Sequence, residues 1–141
     1  MNHFQSLRDY EEYVYRLPHR IATVIYSTLI IARRGARLAT LTGEVVFTGG
    51  YRLVVRERLT FDNGSLLIEQ YGYEVWHNSE KLYWYDSQAH PNDTALAITH
   101  PHHKHVPPDI KHHRIPAPGL SFVRPNLPAI ILEIELLIQH A

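Results

Sequence analysis

The chain has 141 residues, of which 45% are hydrophobic and 20% charged, so we expect one folded domain, residues 1–141, and not a disordered chain. It contains no cysteine, which excludes disulfides and thiolate zinc sites, and no apolar run of the roughly 18 residues that a membrane helix needs. Its 14 Lys and Arg balance its 14 Asp and Glu, which excludes a strong net positive field. We therefore expect a soluble, cytoplasmic protein with no membrane contact.

The N-terminal part predicts a helix followed by an antiparallel sheet. Apolar residues recur at steps of three or four and indicate a helix that ends at Pro18; they are Phe4, Leu7, Tyr10, Val14 and Leu17. Five later segments have the length and the β-branched or aromatic content of strands: 21–32, 37–48, 51–61, 66–76 and 81–86. Their separators favour two-residue hairpin turns: Gly49-Gly50, Asn63-Gly64 and Asn78-Ser79. The pattern predicts an α+β fold with a five-stranded antiparallel meander over about residues 21–86.

The C-terminal part predicts a long loop and an apolar helix. From Ser87 to Pro125 no regular pattern is visible, and the segment is rich in histidine and proline. Asn126 and Pro128 indicate the start of a helix that continues to His140. One side of this helix carries Ile130, Ile131, Ile134, Leu137 and Ile138, and a second carries Leu132 and Leu136. Because one sheet face cannot cover both sides, we expect a homodimer that buries Leu132 and Leu136.

The turn lengths predict which strand residues share a surface. If the turns at Asn63-Gly64 and Asn78-Ser79 have two residues, Arg56, Tyr71 and Asp86 form a row across three strands. The same surface would carry Arg52, Arg58, Glu69, Tyr73 and Trp84. The opposite surface would carry Val46, Leu53, Val55, Leu59, Leu66 and Ile68. The polar row is either a solvated sheet face or a functional surface over which the histidine loop folds.

Seven of the eleven histidines lie between His90 and His113. In an extended backbone, His103 and His105 would point to one side and His102 to the other. Two imidazoles on one side suit three roles: binding of zinc or another divalent metal, acid–base catalysis near neutral pH, or a structural role. A metal site would need a further ligand, for which His90, Asp86 and His100 are available. The spacing alone leaves these alternatives open.

The order of several motifs resembles TumE-type toxins of bacterial and archaeal toxin–antitoxin modules. The motifs are Tyr71-x-Tyr73, the run Tyr83-Trp84-Tyr85-Asp86-Ser87-Gln88-Ala89-His90-Pro91, and Pro101-His102-His103-Lys104-His105-Val106. The run 107–122 resembles a cyanobacterial or related branch with an extended tail. The resemblance covers roughly residues 50–135, and Ser87 stands where the family has asparagine.

The resemblance implies an RNA-cleaving toxin with a cognate antitoxin as its partner. Such cleavage needs a base for the 2′-hydroxyl, an acid for the leaving oxygen and a cation for the phosphate. The catalytic candidates are His103, His105, Arg56, Tyr71 and Asp86. The RNA-binding candidates are Arg52, Arg58, Tyr73, Trp84 and Lys104. This mechanism uses no cofactor, whereas the metal alternative uses His90, His103 and His105. The alternative function is a non-enzymatic protein-binding or metal-binding module with a structural histidine loop.

Overall fold

An antiparallel sheet with helices at both ends of the chain confirms the α+β class. The computed structural model describes residues 6–62, 65–87, 102–117 and 119–141. The helices are α1 (Leu7–Tyr15), α2 (Leu17–Arg20) and α3 (Leu127–Gln139). The strands are β1 (Val24–Ser27), β2 (Ile30–Arg33), β3 (Leu38–Phe47), β4 (Tyr51–Asp62), β5 (Ser65–His77), β6 (Glu80–Asp86), β7 (His103–His105) and β8 (Arg114–Pro116).

The N-terminal helix is shorter than its apolar spacing predicts. Ser6 caps α1, since its hydroxyl accepts a hydrogen bond from the backbone N–H of Asp9 at 3.1 Å. The helix ends at Tyr15, and Pro18 lies in the first turn of α2, where its missing N–H removes no helical hydrogen bond. The prediction that Pro18 ends the first helix is therefore wrong, and Phe4 lies outside the described residues.

The segment predicted as the first strand forms two strands. Both β1 and β2 pair with β3, and the backbone bends between them at Thr28 and Leu29. Gly43 of β3 faces this bend with a φ of 132°. A further pair of short strands, β7 and β8, lies in the segment predicted to be a loop. The sheet thus has eight strands within the described residues instead of five, in the order β1-β3-β4-β5-β6-β7-β8 with β2 also on β3.

Two β-bulges set the side-chain directions in the centre of the sheet. Next to the turn at 63–64, which is itself outside the described residues, Asp62 pairs with Ser65. The β4–β5 register then shifts by one residue between Arg58 and Leu59, and the β5–β6 register shifts between Val75 and Trp76. A shift of one residue sends the following side chains to the other surface.

The bulges overturn the predicted row of Arg56, Tyr71 and Asp86. Arg56 pairs with Gly72, and Gly72 pairs with Asp86. Tyr71 pairs instead with Glu57. The predicted row is wrong because the two-residue turns fix the register only as far as the first bulge.

The sheet has a covered face and an open face. The covered face packs under α1 and α3 and includes Leu41, Val45, Leu53, Val55, Glu57, Tyr71, Tyr73, Val75 and Tyr85, all buried. The open face carries Thr40, Thr42, Arg52, Arg56, Arg58, Gln70, Gly72, Trp76, Trp84, Asp86 and His103. Leu59, Leu66 and Ile68 are buried as predicted, whereas Val46 pairs with Arg52, contrary to its predicted place among the aliphatic residues.

The C-terminal helix lies on the covered face as predicted. Ile130, Ile131 and Ile134 are buried. The hydroxyls of Tyr83 and Tyr85 on β6 donate hydrogen bonds to Glu133 at 3.0 and 2.9 Å, which ties the helix to the sheet. None of the helices in the described ranges is long and apolar enough to cross a membrane.

We expect Gly43→Ala to destabilise the fold. A Cβ at residue 43 would lie 2.6 Å from the Thr28 carbonyl oxygen and 2.9 Å from the Leu29 Cα, and its φ disfavours any other residue. The free energy of unfolding should fall by roughly 2 kcal/mol or more, measured by urea denaturation. Gly119→Ala is the control, since no atom lies within 4 Å of its added Cβ. Equal unfolding midpoints for the two variants would contradict this account of the bend.

Candidate functional site

Asp86, His103 and His105 form a buried acid–base cluster on the open face. Asp86 pairs with His103 across β6 and β7, and Trp84 pairs with His105. His105 Nε2 lies 3.3 Å from Asp86 Oδ2, and His103 Nδ1 lies 3.7 Å from Asp86 Oδ1. The side chains of His103 and His105 are 0% and 1% exposed. The structure therefore brings three of the predicted catalytic residues together and places the two histidines on one side of the strand, as their spacing predicts.

His105 is held on three sides. Its ring stacks on Trp84 with 3.6 Å between the centroids. Its Nδ1 lies 3.1 Å from the Ile110 carbonyl oxygen, which also accepts a hydrogen bond from Trp84 Nε1 at 3.1 Å. A carbonyl oxygen only accepts, so Nδ1 of His105 carries a hydrogen and Nε2 faces Asp86. Both ring nitrogens of His105 are therefore engaged within the protein, and His105 fixes the position of Asp86.

Arg56 extends across the sheet toward this cluster. Its guanidinium lies over Gly72, since a Cβ built on residue 72 would stand only 3.0 Å from Arg56 Cζ. Arg56, Gly72, Asp86 and His103 are consecutive register partners on β4, β5, β6 and β7. The row that crosses the open face is therefore Arg56–Gly72–Asp86–His103, and the glycine leaves the space that the arginine fills.

Arg56 is a cation without a carboxylate partner in the described part of the chain. Its neighbours on the same strand are both paired: Arg52 with Glu44 at 3.4 Å and Arg58 with Glu69 at 3.0 Å. Arg56 borders a cavity of about 220 Å³ that is also lined by Thr40, Thr42, Glu57, Arg58, Gln70, Tyr71 and Gly72. An exposed, uncompensated guanidinium at a polar cavity suits an anionic ligand.

An aromatic and cationic strip continues along the open face. Arg52 Cζ lies 4.8 Å and Lys81 Nζ 5.5 Å from the centre of the Trp76 ring. Lys81 Nζ also lies 5.3 Å from the centre of the Trp84 ring. Sequence analysis included Arg52 and Trp84 but missed Trp76 and Lys81, although both lie beside the Asn78-Ser79 turn that it identified.

Tyr71, Tyr73 and Lys104 do not lie on the surface that carries Arg56. Both tyrosines are buried on the covered face, where the hydroxyl of Tyr71 contacts His102 Nδ1 at 2.5 Å. Lys104 Nζ lies 4.3 Å from the centre of the Tyr83 ring, also on the covered face. Burial raises the pKa of Tyr71 well above its usual range, so its hydroxyl stays protonated. The predicted placement of these three residues beside Arg56 is wrong because of the bulges and the alternation along β7.

A buried carboxylate on the covered face was missed by sequence analysis. The hydroxyls of Tyr10 and Tyr73 both donate hydrogen bonds to Glu57, the first at 2.6 Å. Asn126 Nδ2 in turn donates to the Tyr73 hydroxyl at 3.1 Å. Burial raises the pKa of Glu57 to about 7, although the two tyrosine hydrogen bonds lower it. The available signal was the acidic residue in the inward series Leu53, Val55, Glu57, Leu59.

The metal alternative falls partly outside the described residues. His90 is among the residues that the structure does not describe. Within the described ranges, no group of three or more His, Asp or Glu residues is arranged to hold a metal ion.

Comparison with known proteins gives one match. A family model described as Toxin TumE matches residues 11–138, nearly the whole chain. No curated protein and no solved structure matches the chain.

We expect the stability of the protein to fall as the pH rises from about 4.5 to 7, and Glu57 to be a cause. The folded state holds the Glu57 proton up to about pH 7, whereas the unfolded chain releases it near its ordinary pKa of 4.5. The stabilisation is therefore complete below the unfolded pKa and is lost as the pH passes through the folded pKa. The loss is on the order of 3 kcal/mol for such a shift.

The test compares urea denaturation at several pH values. Glu57→Gln keeps the size of the side chain and removes the titration, so its stability should change less between pH 5 and 7 than that of the wild type. Glu69→Gln, which alters an exposed carboxylate on the open face, should keep the wild-type pH profile. Parallel pH profiles for Glu57→Gln and the wild type would contradict the assigned protonation of Glu57.

Proposed function

Because the chain belongs to the TumE toxin family, we propose that this toxin of a toxin–antitoxin module acts by cleaving RNA on its open face. Membership of a toxin family implies a cognate antitoxin that binds the protein. The observation that carries the RNA-cleaving proposal is the row in which Arg56, a cation with no carboxylate partner among the described residues, is followed by Gly72, Asp86 and His103. A phosphate-binding cation beside an acid–base pair is what cleavage of a phosphodiester requires.

In the proposed reaction the 2′-oxygen of RNA bonds to phosphorus and the bond from phosphorus to the 5′-oxygen breaks. His103 accepts the proton from the 2′-hydroxyl, and the His105–Asp86 pair supplies the proton that the leaving 5′-oxygen takes. Arg56 binds the phosphate oxygens, whose negative charge increases in the transition state. The cavity beside Arg56 ends at Gly72, one strand away from Asp86, so the phosphate approaches the cluster from this side.

His105 has a different role from His103 in this proposal. Its ring is fixed by Trp84 and the Ile110 carbonyl, and it reaches Asp86 rather than the cavity. His105 is therefore a positioning residue that orients Asp86. The symmetric acid–base pair of His103 and His105 expected from the sequence becomes a chain in which His105 acts through Asp86.

The rest of the open face supports binding of single-stranded RNA. Trp76 offers an aromatic ring beside Arg52 and Lys81, and rings flanked by cations bind unstacked bases and phosphates without base-pair readout. Arg52 and Arg58 are partly neutralised by Glu44 and Glu69. They therefore contribute less to phosphate binding than Arg56.

We expect His103→Ala and Arg56→Ala each to lower RNA cleavage by about 10²–10⁴-fold, the usual contribution of one positioned acid, base or charge-stabilising group. Arg56→Lys should restore activity only in part, because an ammonium does not reproduce the planar fork of a guanidinium. The measurement is single-turnover cleavage of labelled RNA in excess chelator, together with growth inhibition in cells.

Arg37→Ala is the matched control, since this exposed arginine pairs with Asp62 at the far end of β3. It should cleave RNA like the wild type. If cleavage by the wild type disappears in chelator and returns when zinc is added, the metal alternative replaces this mechanism. If the wild type inhibits growth without cutting any RNA, the toxin acts by binding a partner and the enzymatic proposal fails.

We also propose that α3 forms a homodimer through its outer side. Leu132 and Leu136 are 57% and 46% exposed, although both are apolar and adjacent on the helix. Replacing both by serine should raise the dimer dissociation constant at least about 10-fold, as expected for the loss of central apolar contacts. Leu67→Ser, at another exposed leucine, is the control. Light scattering that reports a monomeric wild type at high micromolar concentration would overturn this proposal.

A further inference from the structure

Besides Arg56, a second arginine lies near the acid–base cluster: Arg114, on the strand next to His105. It is the first residue of β8 and pairs with His105, so its side chain lies on the open face. It forms no ion pair within the described residues. Its Nε is shielded from solvent and has no hydrogen-bond partner in the described part of the chain. No pattern in the sequence singles out Arg114, because residues 107–122 show no strand periodicity.

An unsatisfied buried N–H is unfavourable, because the group has lost its hydrogen bonds to water. On the sheet, Arg33, Arg52 and Arg58 each pair with an acid. Arg56 and Arg114 lack a carboxylate within the described residues. They lie on opposite sides of the cluster, Arg56 on β4 and Arg114 on β8.

We infer that Arg114 binds a second phosphate of the RNA substrate, so that the RNA backbone crosses the sheet from β4 to β8. This inference rests on the proposed RNA-cleaving function. Four strand spacings separate the Cα atoms of Arg56 and Arg114, roughly 19 Å, which is too far for both to hold one phosphate. Arg56 therefore binds the phosphate that reacts, and Arg114 binds one further along the strand.

The chemistry around Arg114 favours a phosphate over a carboxylate of another protein. Lys111, His112 and His113 precede it, and the acid of this loop, Asp109, is paired with His112 at 2.9 Å. The neighbouring His105 and Trp84 rings form a flat stack next to its strand. A basic segment beside stacked rings is typical of surfaces that bind single-stranded nucleic acid.

The experiment measures binding of a fluorescent 2′-O-methyl RNA of about 12 nucleotides, which the proposed reaction cannot cleave. Arg114→Ala should weaken binding about 10-fold or more and reduce the slope of log affinity against log salt by about 0.7, the loss of one phosphate contact on a single strand. Arg114→Lys should restore the salt slope but only part of the affinity. With cleavable RNA, Arg114→Ala should raise KM at nearly unchanged kcat, whereas Arg56→Ala lowers kcat.

Arg16→Ala removes the same charge from the exposed residue that follows α1, and should bind RNA like the wild type. Circular dichroism checks that each variant is folded.

Wild-type affinity and salt slope for Arg114→Ala would overturn the inference. So would weakened binding of poly-glutamate with unchanged binding of RNA, which would assign Arg114 to an acidic protein partner. A wild type that binds the 2′-O-methyl RNA but cuts no RNA defeats the proposed catalysis and leaves the Arg114 measurement decisive. No RNA binding by the wild type defeats both.

Discussion

The extra residue at the bulge in β5 decides what each face of the sheet contains. Glu69 has no register partner on β4, because Arg58 pairs with Gln70 and Leu59 with Ile68 across the two backbones. Side chains alternate with a period of two, so this one residue puts Tyr71 and Tyr73 under the helices. The same residue places Gly72, which has no side chain, between Arg56 and Asp86. The candidate site therefore depends on the backbone of β5 as much as on its own side chains.

The two faces of the sheet differ in how their ionisable groups are compensated. On the covered face, burial favours the protonated form of Glu57, and two tyrosine hydroxyls satisfy its oxygens. On the open face, Arg56 keeps its full charge without a partner among the described residues, and its guanidinium lies flat over Gly72. A side chain at residue 72 would push that guanidinium away from the row that leads to Asp86. Glycine suits position 72 because its missing side chain leaves the space that the Arg56 guanidinium fills.

The sequence predicts the elements better than it predicts their faces. The two-residue turn at Asn78-Ser79 and the apolar α3 follow from local residue preferences, and the structure has both. The turn at Gly49-Gly50 is present but has three residues, Thr48–Gly50, instead of the predicted two. The two bulges follow from no local signal, since Glu69 and Leu82 are ordinary strand residues. Arg114 and Ile110 act through a three-residue strand and a backbone carbonyl, which no side-chain pattern reveals. The residues His103, His105 and Asp86 were found because alternation along β7 and the order of the motifs do not depend on the bulges.

The geometry of His105 also limits the number of protons in the cluster. Its Nδ1 must carry a hydrogen because it faces a carbonyl oxygen. At 3.3 Å, Nε2 and Asp86 Oδ2 then need one proton between them, since two lone pairs facing each other would repel. The pair is either imidazolium with carboxylate or imidazole with carboxylic acid, and both forms hold one proton. In the proposed reaction the pair gives this one proton to the leaving oxygen, while His103 accepts the proton of the 2′-hydroxyl. Stacking on Trp84 prevents the His105 ring from rotating away, so the pair stays in contact next to the space above Gly72.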